Sequence, residues 1–243
     1  MFIEVINRCV EYGHTVFCLT PMYGELGLDK DLQAKLLYLE THPKVVDYFF
    51  GTNMLYKDMI ESLDGLKKLT LEVSLYGDDA DLYKKNTNRD LYDQFLKTFI
   101  PFISRPHSYG GKIYIRFSRK PNKKMMAMLN IAQHNGIGVT FDEIKNFNLG
   151  GKIPHGSLEN EHPLIIKKGI CPTAKMGCIF ENGDVGLCYM NDTHKSVIFG
   201  NIFETELKDI FKCKEYIKII EDMEKNIYSG ICEKCNERFE MLM

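Results

Sequence analysis

The spacing of apolar residues divides this chain into two parts of different character. Up to about residue 150, short runs rich in β-branched and aromatic residues alternate with amphipathic stretches. Strands are predicted over His14–Pro21, Lys44–Phe50, Leu69–Tyr76, Lys112–Phe117 and Ile137–Phe141, each a brief apolar run of the kind that buried parallel strands carry. Between them the period lengthens. Tyr92, Phe95, Leu96, Phe99, Phe102 and Ile103 share one face at helical spacing, and Leu32, Leu36, Leu37 and Leu39 do so more weakly. Pro121 ahead of the Met-rich run Met125–Ala132 fits the first turn of a helix, with the methionines as core filling. Strands separated by helices of this length predict βαβ units and a parallel sheet, either open or part of a barrel. A helix over residues 2–12 precedes the first visible strand, so the opening strand of a βα series is expected to be absent.

From about Gly150 the pattern changes. GGKIPHGSLENEHP is polar, contains Gly and Pro and has no period, which predicts a linker over 151–167. Beyond it, Asn182-Gly183 between CIFE and DVGLC is a hairpin signal, because a type I′ turn needs positive φ at both central residues. Glu204–Lys225 then reads as one helix, with Leu207, Ile210, Phe211, Ile217, Ile220 and Met223 on or near one face. The expected organisation is a βα domain over 1–150, the linker, and a small cysteine-rich α+β domain over 168–243.

Composition narrows the class. Hydrophobic residues make up 44% and charged residues 26% of the 243, an ordinary globular balance. A formal charge of −2 leaves no basic excess to neutralise phosphates, so no nucleic-acid partner is expected. No apolar run approaches the roughly 20 residues of a membrane span, so no membrane partner is expected either. MFIEVINRC has neither a basic nor a long apolar signal region. Eight cysteines without an export signal point to a reducing, cytoplasmic setting, where thiols serve metals rather than disulfides.

Four of those cysteines carry the chemistry. Cys232 and Cys235 form CEKC, a C-x2-C pair whose short turn presents both sulfurs to one metal. Cys171 opens GICPTAKMGC, and Cys188 closes CIFENGDVGLC. The helix between hairpin and CEKC could fold the last pair back onto the first, and Gly230 fits the change of direction. Spacing alone leaves an iron–sulfur cluster and tetrahedral zinc both open. Pairing across a two-residue turn places Cys178 opposite Leu187 and on the other sheet face from Cys188, as core or spare. Cys9, Cys18 and Cys213 lie inside apolar patterns and read as small buried hydrophobes. None of the seven histidines has a partner at ligand spacing, so hydrolytic metal or Ser/His chemistry has no foothold.

The cysteine segment resembles a known family. C-x16-C ending in NGDVGLCYMND, then IFGNI, the helix ELKDIFKCKEYIKII and GICEKC, is similar over about residues 168–238 to the SPASM/twitch domain of radical S-adenosylmethionine (SAM) enzymes. That resemblance implies an auxiliary 4Fe–4S cluster on Cys171, Cys188, Cys232 and Cys235, and favours iron over zinc. It also implies that the first 150 residues are a partial (βα) TIM-like barrel lacking its first strand. Tyr23-Gly24-Glu25 resembles the family's GGEP motif, which contacts the SAM amino group, with Tyr23 and Leu26 as departures. Thr52-Asn53 resembles its TNG, Ser74 sits where relatives carry polar residues near SAM, and Arg116 lies on a strand that contributes a SAM-carboxylate contact. By resemblance the cofactor residues are therefore Gly24, Glu25, Asn53, Ser74 and Arg116. No catalytic residue is assigned.

The family's C-x3-C-x2-C signature is not among these 243 residues, so the chain as it stands is not expected to cleave SAM. The resemblance implies the C-terminal bulk of a radical SAM/SPASM enzyme. The complete enzyme would generate a 5′-deoxyadenosyl radical for hydrogen abstraction from a peptide or a sugar-like small molecule, with a reductase or other electron donor as partner. The alternative is a noncatalytic iron–sulfur or zinc protein serving binding or electron transfer.

Overall fold

The computed structural model describes residues 1–21, 24–117, 119–141, 167–192 and 194–235. These divide into two compact units, 13–141 in one and 1–12 with 167–235 in the other. Helix α1 (Phe2–Tyr12) therefore groups with the C-terminal segment. The predicted linker, apart from Lys167, lies outside the described residues.

The first unit runs β1 (Val16–Cys18), a 3-10 turn (Leu26–Leu28), α2 (Leu32–Thr41), β2 (Asp47–Thr52), α3 (Lys57–Glu61), β3 (Leu69–Leu75), α4 (Ala80–Thr87), α5 (Tyr92–Ile103), β4 (Gly110–Ile115), α6 (Lys123–His134) and β5 (Gly138–Phe141). The sheet is parallel throughout, in the order β1-β2-β3-β4-β5. Right-handed crossovers that always step to the next neighbour put every helix on the same face, which is the winding of a barrel. A doubly wound sheet would reverse its strand order. The burial pattern agrees. Tyr48, Phe50, Leu69, Leu71, Val73, Leu75, Ile113 and Ile115 are buried on one face. On that side the space beside Gly111 is filled by Phe102 of α5 and by Ile137. The other face carries Thr70, Glu72, Ser74, Tyr114 and Arg116, all half-buried, and exposed Lys112 and Thr140. The architecture is α/β, a partial (βα) barrel.

Three local expectations need correction. Cys18 is exposed rather than buried, because its register with Phe49 puts it on the uncovered face. Leu37 is exposed, while Leu32, Leu36 and Leu39 fill the core. Pro121 precedes α6 rather than opening it; Asn122 is the N-cap, its side chain accepting from the Met125 amide at 2.9 Å. β2 and β4 also sit two or three residues from their predicted bounds, since sheet pairing rather than hydrophobicity decides where a strand stops.

The second unit contains α1, α7 (Pro172–Met176), β6 (Cys178–Ile179), β7 (Asp184–Gly186), β8 (Ile198–Asn201), α8 (Leu207–Ile210), α9 (Lys214–Glu224) and α10 (Ile231–Lys234), with β6-β7-β8 forming an antiparallel sheet. α1 buries Ile6, Cys9 and Val10 and is tied to the β8 end by Arg8 Nη1 donating to the Ile202 carbonyl at 2.7 Å. The single helix predicted over Glu204–Lys225 is broken. Cys213 takes an extended conformation between α8 and α9, and its sulfur accepts from the Tyr216 amide at 3.4 Å, so it caps α9 instead of filling a core.

The hairpin also differs from the expected type I′ turn. Gly183 N donates to the Phe180 carbonyl and Phe180 N to the Asp184 carbonyl, both at 2.9 Å, and Gly183 takes φ +89° while Asn182 keeps negative φ. The loop is therefore three residues long, with glycine in the left-handed position. This extra residue shifts the register. Cys178 pairs with Gly186, not Leu187.

Candidate metal centre

Three separated segments bring four thiols together. Cys171 is the N-cap of α7, with Pro172 at the first helical position, where its missing N–H costs nothing. Its carbonyl accepts from the amides of Ala174 at 3.1 Å and Lys175 at 3.3 Å. Cys188 follows β7 and is held in a tight loop: Asn191 N donates to its sulfur at 3.3 Å. Buried Asp192 closes that loop, its carboxylate accepting from Ser196 N at 2.8 Å, Ser196 Oγ at 2.6 Å and Val197 N at 2.9 Å. Cys232 lies in α10, and Cys235 ends it. Gly230 precedes them at φ +59°, ψ −128°, a conformation that favours glycine and turns the chain into the C-x2-C loop.

The first and last segments are laced side by side. Gly169 N donates to Asn226 Oδ1 and the Tyr228 hydroxyl donates to the Gly169 carbonyl, both at 2.8 Å. Lys167 Nζ donates to the carbonyls of Cys232 and Glu233. Beneath the thiols lies a small core of Ile170, Ala174, Leu187 and Met223, against which Cys171, Cys188 and Cys232 pack.

The result is one partly enclosed cavity lined by Cys171, Cys188, Cys232 and Cys235, together with Thr173, Ala174, Leu187, Asn191 and Ile231. Its empty space is about 400 Å³, mouth included. Cys178 is not among the lining residues. Burial pushes the Cys232 thiol up to about 12, the neighbouring thiols adding to the effect and Lys167 opposing it. Burial also raises Cys188, against the pull of the backbone amides of Asn191, Met190 and Asp192. Among the described residues no three thiol, imidazole or carboxylate groups form a set for a single ion. Four sulfurs around a common space are a donor set that zinc and an iron–sulfur cluster both accept. The donor set fits an iron–sulfur cluster: all sulfur, apolar walls, and backbone amides directed at a ligand sulfur. Asn191 adds a buried side-chain oxygen with no partner among the described residues.

Residues 171–236 match the family model of SPASM, an iron–sulfur cluster-binding domain. The chain carries a SPASM domain. No curated protein matches the chain in sequence. Among solved structures it is similar to Streptococcus suis SuiB bound to the precursor peptide SuiA, with a TM-score of 0.64 at 13% identity over 97% of this chain and 62% of that one. SuiB bound to S-adenosylmethionine gives 0.60 at 16% identity, over 90% and 59%. BtrN in complex with AdoMet and 2-DOIA gives 0.55 at 13% identity, over 97% and 78%. The chain thus spans about three-fifths of SuiB. At these identities the likeness concerns the fold alone, which this chain shares with SuiB and BtrN.

In the sheet unit, the residues assigned to SAM by resemblance lie at or near the C-terminal strand ends, where barrel sites form. Tyr23 is outside the described residues. Gly24 follows β1 at φ +87°, and Glu25 reaches the end of β2, its Oε2 accepting from Asn53 N at 3.1 Å. Glu25 Oε1 is buried without a partner among the described residues. Burial raises its carboxyl, while the Asn53 amide and Thr52 hydroxyl lower it. Met54, next to Asn53, is fully buried at φ +61°, a strained conformation for a non-glycine residue. Ser74 is in register with Tyr114, and the Arg116 guanidinium sits 5.2 Å from that ring. Four of the five residues thus form two groups, Glu25 with Asn53, and Ser74 with Arg116 around Tyr114, while Gly24 precedes Glu25 in the chain. An unpaired buried carboxylate oxygen suits an ammonium, which is what the SAM reading asks of Glu25. Sequence reasoning missed Lys167, Asn191 and Asp192. Asp192 stood within the quoted CYMND, but nothing in a linker-like stretch marked Lys167.

Proposed function

We propose that this chain is the C-terminal bulk of a radical SAM/SPASM enzyme, and that Cys171, Cys188, Cys232 and Cys235 hold an auxiliary 4Fe–4S cluster. The observation that carries the reading is the convergence of four thiols from three chain segments on one apolar-walled cavity. When bound, the cluster would supply an electron-transfer centre or a ligation point for substrate. The protein's own contribution is to strip water from the thiols, to hold Cys188 through the Asp192 loop, and to fix the C-x2-C turn through Gly230 and Lys167. On the sheet, Gly24, Glu25, Asn53, Ser74 and Arg116 would receive SAM, with Glu25 Oε1 facing its amino group. The whole enzyme would abstract hydrogen from a peptide or sugar-like substrate, drawing electrons from a reductase. SuiB's precursor peptide supports the peptide class.

The test is anaerobic reconstitution with iron and sulfide. The purified chain should take up about four irons and turn brown. Cys232→Ala should abolish the cluster and Cys213→Ser should keep it, because Cys213 caps α9 and does not line the cavity. Stoichiometric zinc without visible absorption would overturn the cluster assignment, and loss of iron in the Cys213 variant would overturn the ligand set.

A further inference from the structure

Lys167 is held in an unusual way for a lysine. It is half-buried, and its ammonium donates to the carbonyl of Cys232 and, at 2.9 Å, to that of Glu233, at the end of α10. It also lies 5.5 Å from the centre of the Tyr228 ring, a cation–π distance. Tyr228 is itself fixed by its bond to the Gly169 carbonyl, two residues beyond Lys167. The ammonium is thus clamped on both sides and cannot swing to solvent without breaking these contacts. Among the described residues it makes no ion pair with a carboxylate, and burial works against its charged form. What does favour that charge is the field of Cys235, Cys232 and Cys171, with a smaller part from the Glu233 carboxylate.

A half-buried cation hydrogen-bonded to two neutral carbonyls is under-compensated. Beside four thiolates and their cluster it would gain a stronger countercharge than Glu233 supplies. We propose that Lys167 is the fixed countercharge of the cluster and sets its reduction equilibrium by favouring the more negative, reduced form. This rests on the reading that the four thiols hold an iron–sulfur cluster. Net charge around a cluster is one of the levers on its potential. In the step concerned, one electron passes from dithionite through a mediator to the cluster; no bond forms or breaks and no proton moves. The competing role for Lys167 is a plain cap on α10, holding carbonyls as basic side chains do at helix C-termini.

Lys167→Met keeps the packed stem and removes the charge, whereas Lys167→Arg keeps the charge. The experiment reconstitutes wild type and both variants, counts iron per chain, and follows reduction by potentiometric titration with EPR detection. At fixed potential the oxidised-to-reduced ratio of Lys167→Met should rise about tenfold, a shift of about 59 mV downward for a one-electron couple. Lys167→Arg should stay within about threefold of wild type. Loss of iron from the Met variant alone, with Arg retaining it, also supports the charge role. A Met variant that titrates with wild type, an Arg variant displaced as far as Met, or loss of iron from both would each overturn it in favour of the cap. A wild-type chain that takes up no cluster would instead overturn the reading beneath it.

Discussion

Asp192 is the residue whose loss should most clearly loosen the cysteine site without touching a ligand. Its carboxylate is fully buried and takes three hydrogen bonds, from Ser196 N, Ser196 Oγ and Val197 N. In Asp192→Ala all three acceptors vanish, but the donors differ in what replaces them. Ser196 is exposed, so water can take over for its amide and hydroxyl, at roughly 1 kcal/mol each. Val197 packs against the core beneath the thiols, so its amide loses a charged acceptor with poor access to water, which costs about 1.5–3 kcal/mol. Together these favour local opening of the loop by at least about 3.5 kcal/mol, or about three hundredfold. Hydrogen exchange resolved to peptides reads this directly. Exchange across 189–197 should accelerate by about that factor, with peptides from β2 to β4 unchanged, and reconstituted iron should leave faster because Cys188 sits at the head of the loop. Asp192→Asn keeps the oxygen that serves Ser196 but sets an amide against Val197 N–H, so it should give a smaller acceleration, about tenfold. Less than threefold acceleration in the alanine variant would refute the assignment of Asp192 as the loop's closure.

Gly183→Ala should destabilise the C-terminal unit by about 2 kcal/mol or more, because φ +89° disfavours a side chain and the new Cβ would lie 2.4 Å from the Phe203 ring; unchanged protease resistance of that unit would count against the loop geometry. Glu25→Gln should raise the melting temperature of the SAM-free chain at pH 8, with the advantage fading as pH falls through the raised folded value and gone below the ordinary glutamate range. The sign follows from burial: the folded carboxyl binds its proton more tightly than the unfolded one, so the cost of ionisation is absent at low pH and grows as pH rises through the folded value. A glutamine variant that melts lower at pH 8 would refute the idea that desolvation dominates at Glu25.

How far the sequence could be read depended on whether the deciding interactions were local. α5 was legible to the residue, since its amphipathic period over Tyr92–Ile103 is also its packing face. β3 was nearly so, because its apolar residues alternate on a covered face. The break between α8 and α9 was not legible, since both sides keep the same apolar period and only the capping bond of Cys213 to Tyr216 N interrupts it. The hairpin failed for a different reason. Asn-Gly suits two loop lengths, and the choice was made by contacts of the turn with Asn201 on β8, which donates to the Asn182 carbonyl at 3.1 Å. Cys18 shows the same limit, for burial in a short strand depends on which face the helices cover.

The cysteine site depends on long-range closure in a stronger sense. Its four sulfurs come from positions 171, 188 and 232–235, and among the described residues the apolar support beneath them is a cluster of four buried side chains with partly buried Val197, Phe199, Ile219 and Ile220 packed against it. The rest of the closure is polar: Asp192 pins one loop, Asn226 and Tyr228 pin the approach to Cys171, and Lys167 pins the last turn. Such contacts contribute little net stability singly, since each is exchanged against water. A bound cluster would change the balance, because ligation would replace the protons that burial favours on Cys188 and Cys232 and would join the three segments through metal. The polar contacts are then best understood as setting where each sulfur waits, and the metal as what makes the arrangement stable. This division explains why candidate ligands were legible by resemblance while the residues that orient them were not. Cluster ligands would answer to iron, which constrains their type and spacing, whereas an orienting residue answers only to its neighbours in this fold.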